Sequence, residues 1–268
     1  MSNQKNNPKR EPVKVVALVP ARAGEQSIPY KNLQTLGDKT LLEWAIEVAF
    51  LSDLVDAVVV STEDERIKQA AESAGAKVAP RPAKYSQPTS GDAGWYHQAV
   101  VWMEETLGWT PEYLVNLRPT GPLRFASDVD AMIRYIDKSG ADGVKSIIPT
   151  PLHPYKMWLL EGGNEVGSAG KLSPVFDNEF RRKHGSDQPR QKIQTMFPVY
   201  FQDAQIDITR RKFVLRPEAL ENDNVWGENI HGYMLDPRTS ADLDTPEDFK
   251  RAERLYQTMQ DERNVEKS

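Results

Sequence analysis

The feature that most constrains the fold is a regular alternation of short apolar runs and helical patterns over the first 149 residues. The runs are rich in β-branched residues and nearly continuous, which is typical of strands buried on both faces of a parallel sheet. The regular alternation of strands and helices predicts an open, doubly wound, mostly parallel α/β sheet with right-handed crossovers. The predicted strands are 13–20, 57–61, 76–79, 113–116 and 143–148, and the predicted helices are 41–50, 62–75 with a capping box of Thr62 and Glu65, 92–107 and 127–139.

The alternation stops after Pro149. Residues 150–197 are polar and glycine-containing with no sustained period, so we expect an excursion outside the central sheet. Ordered patterns then return as strands at 199–201, 205–209 and 230–235, followed by a helix capped by Thr245 with Pro246 at its first position. The predicted organisation is a disordered lead-in at 1–12, a single domain over 13–255 and a charged tail at 256–268.

Composition limits the class of partner. The 268 residues carry a formal net charge of -5, which leaves no basic excess for a nucleic-acid backbone or an anionic bilayer. The chain has no cysteine, and this excludes disulfides and thiolate chemistry and is compatible with a reducing cytoplasm. No apolar run approaches the roughly 20 residues of a membrane span. We therefore expect a soluble cytoplasmic protein with a small-molecule partner, no nucleic acid and no membrane.

The segment that leaves the first predicted strand is the first candidate for ligand contact. In an open α/β sheet, ligands bind beyond the carboxyl ends of the strands. This segment offers Gly24 for close backbone approach, with Arg22 and Lys31 to face negatively charged oxygens. A solvated connection with two unrelated cations is an equally ordinary interpretation of these residues alone.

Two other segments carry charge in positions that suit a ligand. Asp242 and Asp244 are two residues apart, so on an extended chain both carboxylates lie on one side and can share a hard cation such as Mg²⁺. Acids that stabilise the start of the following helix are the alternative. Arg118 and Arg124 flank a Pro-Thr-Gly-Pro-Leu sequence after the strand at 113–116, where guanidinium groups suit phosphate or carboxylate, or are surface residues on a rigid loop.

Several of these pieces occur together in a known family. The chain resembles the cytidylyltransferases that activate sialic and related nonulosonic acids, whose N-terminal signature is Pro-Ala-Arg-x-Gly-Ser-Lys-x-Ile-Pro-x-Lys-Asn. The residues in register with that signature are Pro20, Ala21, Arg22, Gly24, Ile28, Pro29, Lys31 and Asn32. Further similar segments are 59–64, Arg81-Pro82, 118–124, 154–158, 189–191 and 242–249, so the resemblance spans about 13–255.

The resemblance implies transfer of CMP from CTP to a 2-keto sugar acid with release of pyrophosphate, on a Rossmann-like fold of the nucleotide-diphospho-sugar transferase type. It implies Mg²⁺ as cofactor and a homodimer in which the excursion exchanges between subunits. The catalytic residues implied are Arg22, Lys31, Asp242 and Asp244, the last two as metal ligands. The nucleotide site would comprise Arg22, Gly24, Lys31, Asn32, Arg81 and Ser90, and the acceptor site Arg118, Lys156, Arg190, Gln191 and Tyr200.

The chain also departs from the family pattern. Glu25-Gln26-Ser27 stands where the family has Ser-Lys-Gly, so one cation is replaced and one acid is added. Gln202-Asp203-Ala204 stands where the family often has Gln-Asn-Gly. Three hypotheses stay open at this point: a synthetase for a nonulosonic acid, one for another acidic acceptor such as a phosphonate or a KDO-like acid, and a catalytically weak nucleotide-binding homologue.

Overall fold

The structure is a computed structural model that describes residues 13–24, 28–150, 152–162, 165–166, 168–176 and 197–265. The chain divides into two compact units, the first formed by Met1–Ser146 with Asp203–Ser268 and the second by Ile147–Gln202. The predicted excursion at 150–197 falls within the second unit, whereas the predicted lead-in at 1–12 lies outside the described residues.

A seven-stranded sheet runs through the fold in the order β11-β7-β10-β6-β1-β4-β5. Strand β1 is parallel to β4 and β6, β4 is parallel to β5, and β10 is antiparallel to β6. The fold prediction of a mostly parallel α/β sheet is thereby confirmed. The strands of this sheet are β1 Val15–Pro20, β4 Ala57–Thr62, β5 Lys77–Pro80, β6 Tyr113–Asn116, β7 Gly143–Pro149, β10 Tyr200–Arg210 and β11 Ile230–Met234.

In the part of the chain that the structure describes, helices and two small hairpins accompany the sheet. The α-helices are α1 Leu41–Phe50, α2 Glu65–Ser73, α3 Asp92–Trp102, α4 Ala126–Ser139, α5 Arg211–Val214, α6 Pro217–Glu221 and α7 Pro246–Val265. The hairpins pair β2 Thr35–Leu36 with β3 Lys39–Thr40, and β8 Trp158–Leu160 with β9 Leu172–Pro174. Single 3₁₀ turns lie at Lys31–Leu33, Ala83–Tyr85, Pro154–Lys156 and Pro237–Thr239, and α3 continues into a π-helical turn at Met103–Leu107.

The core lies on both faces of the sheet because β1 has no polar side. Its residues Val15, Ala17 and Val19 belong to one buried cluster with apolar side chains of α1 and α4. The alternate residues Val16 and Leu18 belong to a second cluster with α3. Successive strand side chains point to opposite faces, so a continuous apolar strand requires helices on both sides.

Three local predictions were wrong in detail. Asp64, not Thr62, caps α2, because its carboxylate accepts hydrogen bonds from the backbone N–H groups of Arg66 and Ile67, while Thr62 is the last residue of β4. The strands predicted at 199–201 and 205–209 are one strand, β10, in which Ala204 adopts a left-handed conformation with φ 53°. The helix predicted at 92–107 changes to π geometry after Trp102.

The final helix begins as predicted. Thr245 and Asp248 form reciprocal bonds, with Asp248 N–H donating to Thr245 Oγ1 and Asp248 Oδ2 accepting from the Thr245 N–H. The helix α7 continues to Val265 and so extends into the segment predicted as a charged tail. Among the residues that the structure describes, no helix is both long enough and apolar enough to cross a membrane.

Candidate active site

The loops that leave β1, β4 and β6 lie at the carboxyl edge of the parallel strands, within the first unit. A fourth segment, residues 240–245, lies against them through a hydrogen bond from the Leu243 N–H to the Thr120 carbonyl oxygen, 3.1 Å long. Leu243 itself is fully buried in an apolar cluster with Leu36 and Leu123. This packing brings the carboxylates on either side of Leu243 to the same edge of the sheet.

The first loop is connected to the loop after β5. Arg22 donates from Nη1 to the carbonyl oxygen of Gln87 at 2.8 Å, and the buried Asn32 donates from Nδ2 to the carbonyl oxygen of Arg22 at 2.9 Å. Asn32 therefore holds the loop from within, consistent with a place in the nucleotide pocket. The nearest described atoms to a Cβ placed at Gly24 are those of the Arg22 side chain at 3.5 Å, an ordinary contact, so packing against the described residues does not demand glycine there.

Glu63 connects the same two loops and was missed by the sequence analysis. Its Oε1 accepts from the Ala23 N–H at 2.9 Å, and its Oε2 accepts from Ser86 Oγ at 2.9 Å. The Glu63 carboxylate thus accepts a hydrogen bond from a backbone N–H group of the loop that is predicted to face phosphate. The Val-Val-Ser-Thr-Glu-Asp segment carried the only sequence signal for it. The altered residues Glu25, Gln26 and Ser27 lie outside the described residues.

Lys31 and Asp244, which are 213 positions apart, form an ion pair. Lys31 Nζ lies 2.6 Å from Asp244 Oδ1. The lysine side chain is 16% exposed and the aspartate side chain 68%, so the pair has a fixed cation and a carboxylate open to solvent. Tyr30, in a left-handed conformation with φ 48°, turns the chain into the 3₁₀ turn that begins at Lys31. Two of the predicted catalytic residues are therefore in direct contact.

Asp242 lies beside this pair. Partial burial of its carboxyl group and the nearby negative charge of Asp244 raise its pKa, against a hydrogen bond from Thr120 and the positive charges of Lys31 and Arg118. Two carboxylates that oppose each other's ionisation are stabilised together by a shared cation. Mg²⁺ is commonly held by one or two carboxylates with substrate phosphates supplying other ligands, so this pair fits Mg²⁺. No group of three or more metal-binding side chains occurs among the described residues.

The loop after β5 presents Arg81 and Ser90. Arg81 is buried, donates from Nε to Ser61 Oγ and from Nη2 to the Ser61 carbonyl oxygen, both at 3.0 Å, and lies over the Trp95 ring. Burial lowers the pKa of Arg81 to about 10, opposed by Glu63 and Asp92. Ser90 Oγ donates to the carbonyl oxygen of Lys84 at 2.9 Å, which closes its loop. Arg81 is therefore a rigid group anchored to the end of β4.

Arg118 forms an ion pair with Asp92 in the first turn of α3. Burial alone would lower the pKa of Arg118, but the negative charges of Asp92 and Asp207 raise it above its ordinary value. Burial also raises the pKa of Asp207 to about 6, while Lys145 and Arg118 act to lower it. Asp92, Lys145 and Asp207 were missed by the sequence analysis. Polar and apolar residues alternate over 205–209, which is typical of a strand with one face in solvent, so the pattern gave no signal that Asp207 is buried.

The predicted acceptor residues other than Arg118 do not lie in the first unit. Lys156 is exposed at the end of a 3₁₀ turn in the second unit, and Tyr200, 48% exposed, begins β10 in the same unit. Arg190 and Gln191 lie outside the described residues. In the first unit, the structure brings together Arg22, Lys31, Asn32, Arg81, Arg118, Asp242 and Asp244 at one edge of the sheet, through the contacts given above.

A family model described as "Cytidylyltransferase" matches residues 16–267 of this chain. The chain belongs to the cytidylyltransferase family. It is therefore a nucleotidyltransferase similar to CMP-sugar synthetases. The match spans both the loop of Arg22 and the segment of Asp242, so the two ends of the candidate site lie within the family's shared region.

Individual relatives are distant but nearly full-length. A "Post-translational flagellin modification protein B" of Campylobacter coli is 25% identical over 90% of this cytidylyltransferase and 94% of its own length. A "CMP-N,N'-diacetyllegionaminic acid synthase" of Legionella pneumophila is 25% identical over 93% of this chain and 99% of its own length. A solved CMP:2-keto-3-deoxy-manno-octonic acid synthetase complexed with CTP aligns with TM-score 0.61 and 18% identity, covering 92% of this chain and 99% of that one. That last likeness confirms the fold type.

Proposed function

We propose that this cytidylyltransferase transfers CMP from CTP to the anomeric hydroxyl of a nonulosonic 2-keto sugar acid and releases pyrophosphate. The observation that carries the proposal is the contact of Lys31 with Asp244 beside Asp242, at the sheet edge that also bears Arg22 and Arg81. A cation and two carboxylates together can receive a triphosphate and a divalent ion. The Legionella relative, whose name specifies a legionaminic acid product, supports a nonulosonic acceptor.

In the reaction, the acceptor oxygen forms a bond to the α-phosphorus of CTP, the bond from that phosphorus to the bridging oxygen breaks, and pyrophosphate carries away the electron pair. The acceptor hydroxyl releases its proton to the solvent. The protein's contribution to such a transfer is positioning and charge neutralisation. In this chain, Arg22 and Lys31 contribute positive charge to triphosphate oxygens, and Arg81 and Asn32 hold the nucleotide pocket in a fixed shape.

Mg²⁺ is the proposed cofactor, and Asp242 and Asp244 are the residues that would hold it. When bound, it supplies positive charge to phosphate oxygens and favours departure of pyrophosphate. Lys31 neutralises part of the charge of the carboxylate pair and keeps Asp244 at the site. Arg118, fixed by Asp92, is a rigid guanidinium for an acidic group of the acceptor. The assignments of Lys156, Arg190, Gln191 and Tyr200 to the acceptor remain predictions from the resemblance.

The test of this proposal is pyrophosphate release by the purified protein with Mg²⁺, each of the four common ribonucleoside triphosphates, and a panel of 2-keto sugar acids and phosphonates. We expect release with CTP and a nonulosonic acid, and none when either is left out. Release only with a KDO-like acid or a phosphonate would support cytidylyltransferase activity and contradict the proposed nonulosonic acceptor. A protein that CTP stabilises against heat, but that turns over no pair, would be a nucleotide-binding homologue instead.

The second unit supports a homodimer as part of the proposal. Its hairpin of β8 and β9 exposes consecutive apolar residues: Trp158 is 42% exposed, Leu159 59%, Leu160 39% and Leu172 54%. Neighbouring strand residues point to opposite faces, so Trp158, Leu160 and Leu172 share one exposed apolar face, and Leu159 lies on the other face, paired with Ser173. Exposed apolar patches of this kind mark interaction sites, and a second copy of the chain is the partner that the family resemblance implies.

We therefore expect the wild-type protein to sediment as a dimer and Leu159→Asp to shift it to the monomer, because a charge in an apolar interface is costly to desolvate. Ser168→Asp, an exposed change in the loop of the same hairpin, is the matched control and should leave the dimer intact. Analytical ultracentrifugation at several concentrations measures both. A wild-type monomer at micromolar concentration, or a dimer unaffected by Leu159→Asp, would contradict this assignment.

A further inference from the structure

The segment that carries Asp242 and Asp244 belongs to neither a helix nor a strand. Residues 240–245 lie between the 3₁₀ turn at Pro237–Thr239 and the start of α7. No regular backbone ladder fixes the two carboxylates, so their position depends on specific tertiary contacts. Buried side chains of β10 and of the loop after β6 supply those contacts.

The side chain of Gln205 on β10 forms a hydrogen bond with this segment. It is fully buried, and its Nε2 donates to the carbonyl oxygen of Ala241, the residue before Asp242, at 3.2 Å. Its own backbone N–H donates to Asp203 Oδ1 at 3.3 Å, which fixes the strand at the point where the side chain leaves it. A Cβ atom at Gly121 would lie 2.8 Å from Gln205 Oε1, so the loop after β6 approaches this amide closely.

Arg124 holds Gln205 and the loop after β6 together. Its guanidinium is buried and donates from Nη1 to the carbonyl oxygen of Gln205 and from Nη2 to that of Arg118. The same loop meets the carboxylate segment a second time, through the Leu243 N–H bond to Thr120 and the Thr120 hydrogen bond to Asp242. Arg124 and Gln205 thus connect the strand, the loop that bears Arg118 and the segment that bears the carboxylates.

We infer that Gln205 is a positioning residue that sets the place of the Asp242 and Asp244 carboxylates relative to Arg118 and the nucleotide loops. The inference rests on the proposed function, in which those carboxylates hold Mg²⁺. A misplacement of about 1 Å at a site of group transfer costs on the order of 10²-fold in rate. Gln205 lies one position from Ile206 in the sheet core, and its side chain meets the carboxylate segment at the backbone carbonyl of Ala241.

The test replaces Gln205 with methionine, which keeps the length of the side chain and removes the donor. The matched control is Thr209→Val on the same strand, which removes a buried bond from Thr209 Oγ1 to the carbonyl oxygen of Val225. Both variants lose one side-chain bond to a backbone carbonyl. A purely structural role predicts the same behaviour for the two, as judged by melting temperature and circular dichroism.

We expect Gln205→Met to raise the Mg²⁺ concentration for half-maximal pyrophosphate release about 10-fold or more, with little change in the KM of the acceptor, while Thr209→Val keeps the wild-type value. The second measurement is Mn²⁺ binding with CTP present, followed by electron paramagnetic resonance, which needs no turnover. Its dissociation constant should rise by a similar factor in Gln205→Met only.

The two measurements separate the inference from the proposed function. Wild-type protein that releases no pyrophosphate, yet binds Mn²⁺ more tightly than Gln205→Met does, would overturn the proposed function and support the positioning role. Equal Mn²⁺ binding by wild type, Gln205→Met and Thr209→Val would overturn the positioning role even with full turnover. Absence of Mn²⁺ binding by the wild-type protein would also overturn it.

Discussion

Asp244→Asn is expected to lower kcat/KM for CTP by about 10³-fold or more, because loss of a carboxylate proposed to hold Mg²⁺ would remove several kcal/mol of transition-state stabilisation. The side chain is 68% exposed and forms an ion pair with Lys31, and asparagine keeps its size, so the substitution should leave the fold intact. The measurement is steady-state pyrophosphate release at saturating acceptor, with the melting temperature as a check on folding. Glu247→Gln is the matched control, since it removes one exposed acid in the first turn of α7.

The Asp244→Asn variant is also expected to change the pH dependence of metal binding. Asp244 is one of the groups that raise the pKa of Asp242, after partial burial. A carboxyl with a raised pKa is protonated first as pH falls, and the protonated form does not bind a metal ion. We expect the residual Mn²⁺ binding of Asp244→Asn to persist to lower pH than that of the wild type. Glu247→Gln should follow the wild-type curve, and an unshifted curve in Asp244→Asn would contradict the coupling of the two carboxylates.

Lys31→Met is expected to lower kcat/KM for CTP by about 10²- to 10³-fold, the usual effect of removing one preorganised contact to developing charge. Methionine keeps an apolar stem in the mostly buried position of Lys31 and removes only the charge. The effect should appear in kcat and in the KM for CTP, with the KM of the acceptor nearly unchanged. Initial-rate kinetics with both substrates varied will separate these terms.

Lys77→Met on β5 is the control for Lys31→Met, because Lys77 is exposed at the far edge of the sheet. It should change kcat/KM by less than about twofold. The double variant of Lys31→Met with Asp244→Asn should lose less than the product of the two single losses, since residues in contact are not independent. Full additivity, or a Lys31→Met enzyme within threefold of wild type, would show that the ion pair does not act at the reaction.

Much of this molecule could be predicted from local patterns in the sequence. The β-branched runs determine the strands, because a continuous apolar strand needs cover on both faces, and the parallel sheet follows from the helices between them. Strand β6 and helix α1 have the predicted bounds. The cation-rich loop after β1 and the Asp-Leu-Asp segment were also identifiable by their residue types, and the family match spans both.

Other features were decided only by the tertiary structure, because they depend on contacts between residues far apart in the chain. The sequence places Lys31 in the segment after the first strand and Asp244 just before the final helix, yet only the packing of Leu243 under the loop after β6 brings them to 2.6 Å. Likewise, no local pattern distinguishes Thr62 from Asp64 as the cap of α2, since both can accept the bonds.

The buried polar groups show most clearly the difference between what local sequence patterns predict and what long-range contacts decide. Gln205 and Asp207 alternate with apolar residues along β10, a pattern that predicts a solvent-facing side, yet both are buried, and their partners cannot be read from the sequence. A buried polar atom needs a hydrogen bond or an opposite charge, and the fold supplies one for Gln205 at Ala241, 36 positions away. The sequence by itself determined most strands of the central sheet, the longer helices between them and which residues carry charge. The tertiary structure alone decided which charges meet, because burial and long-range contact are properties of the packed chain.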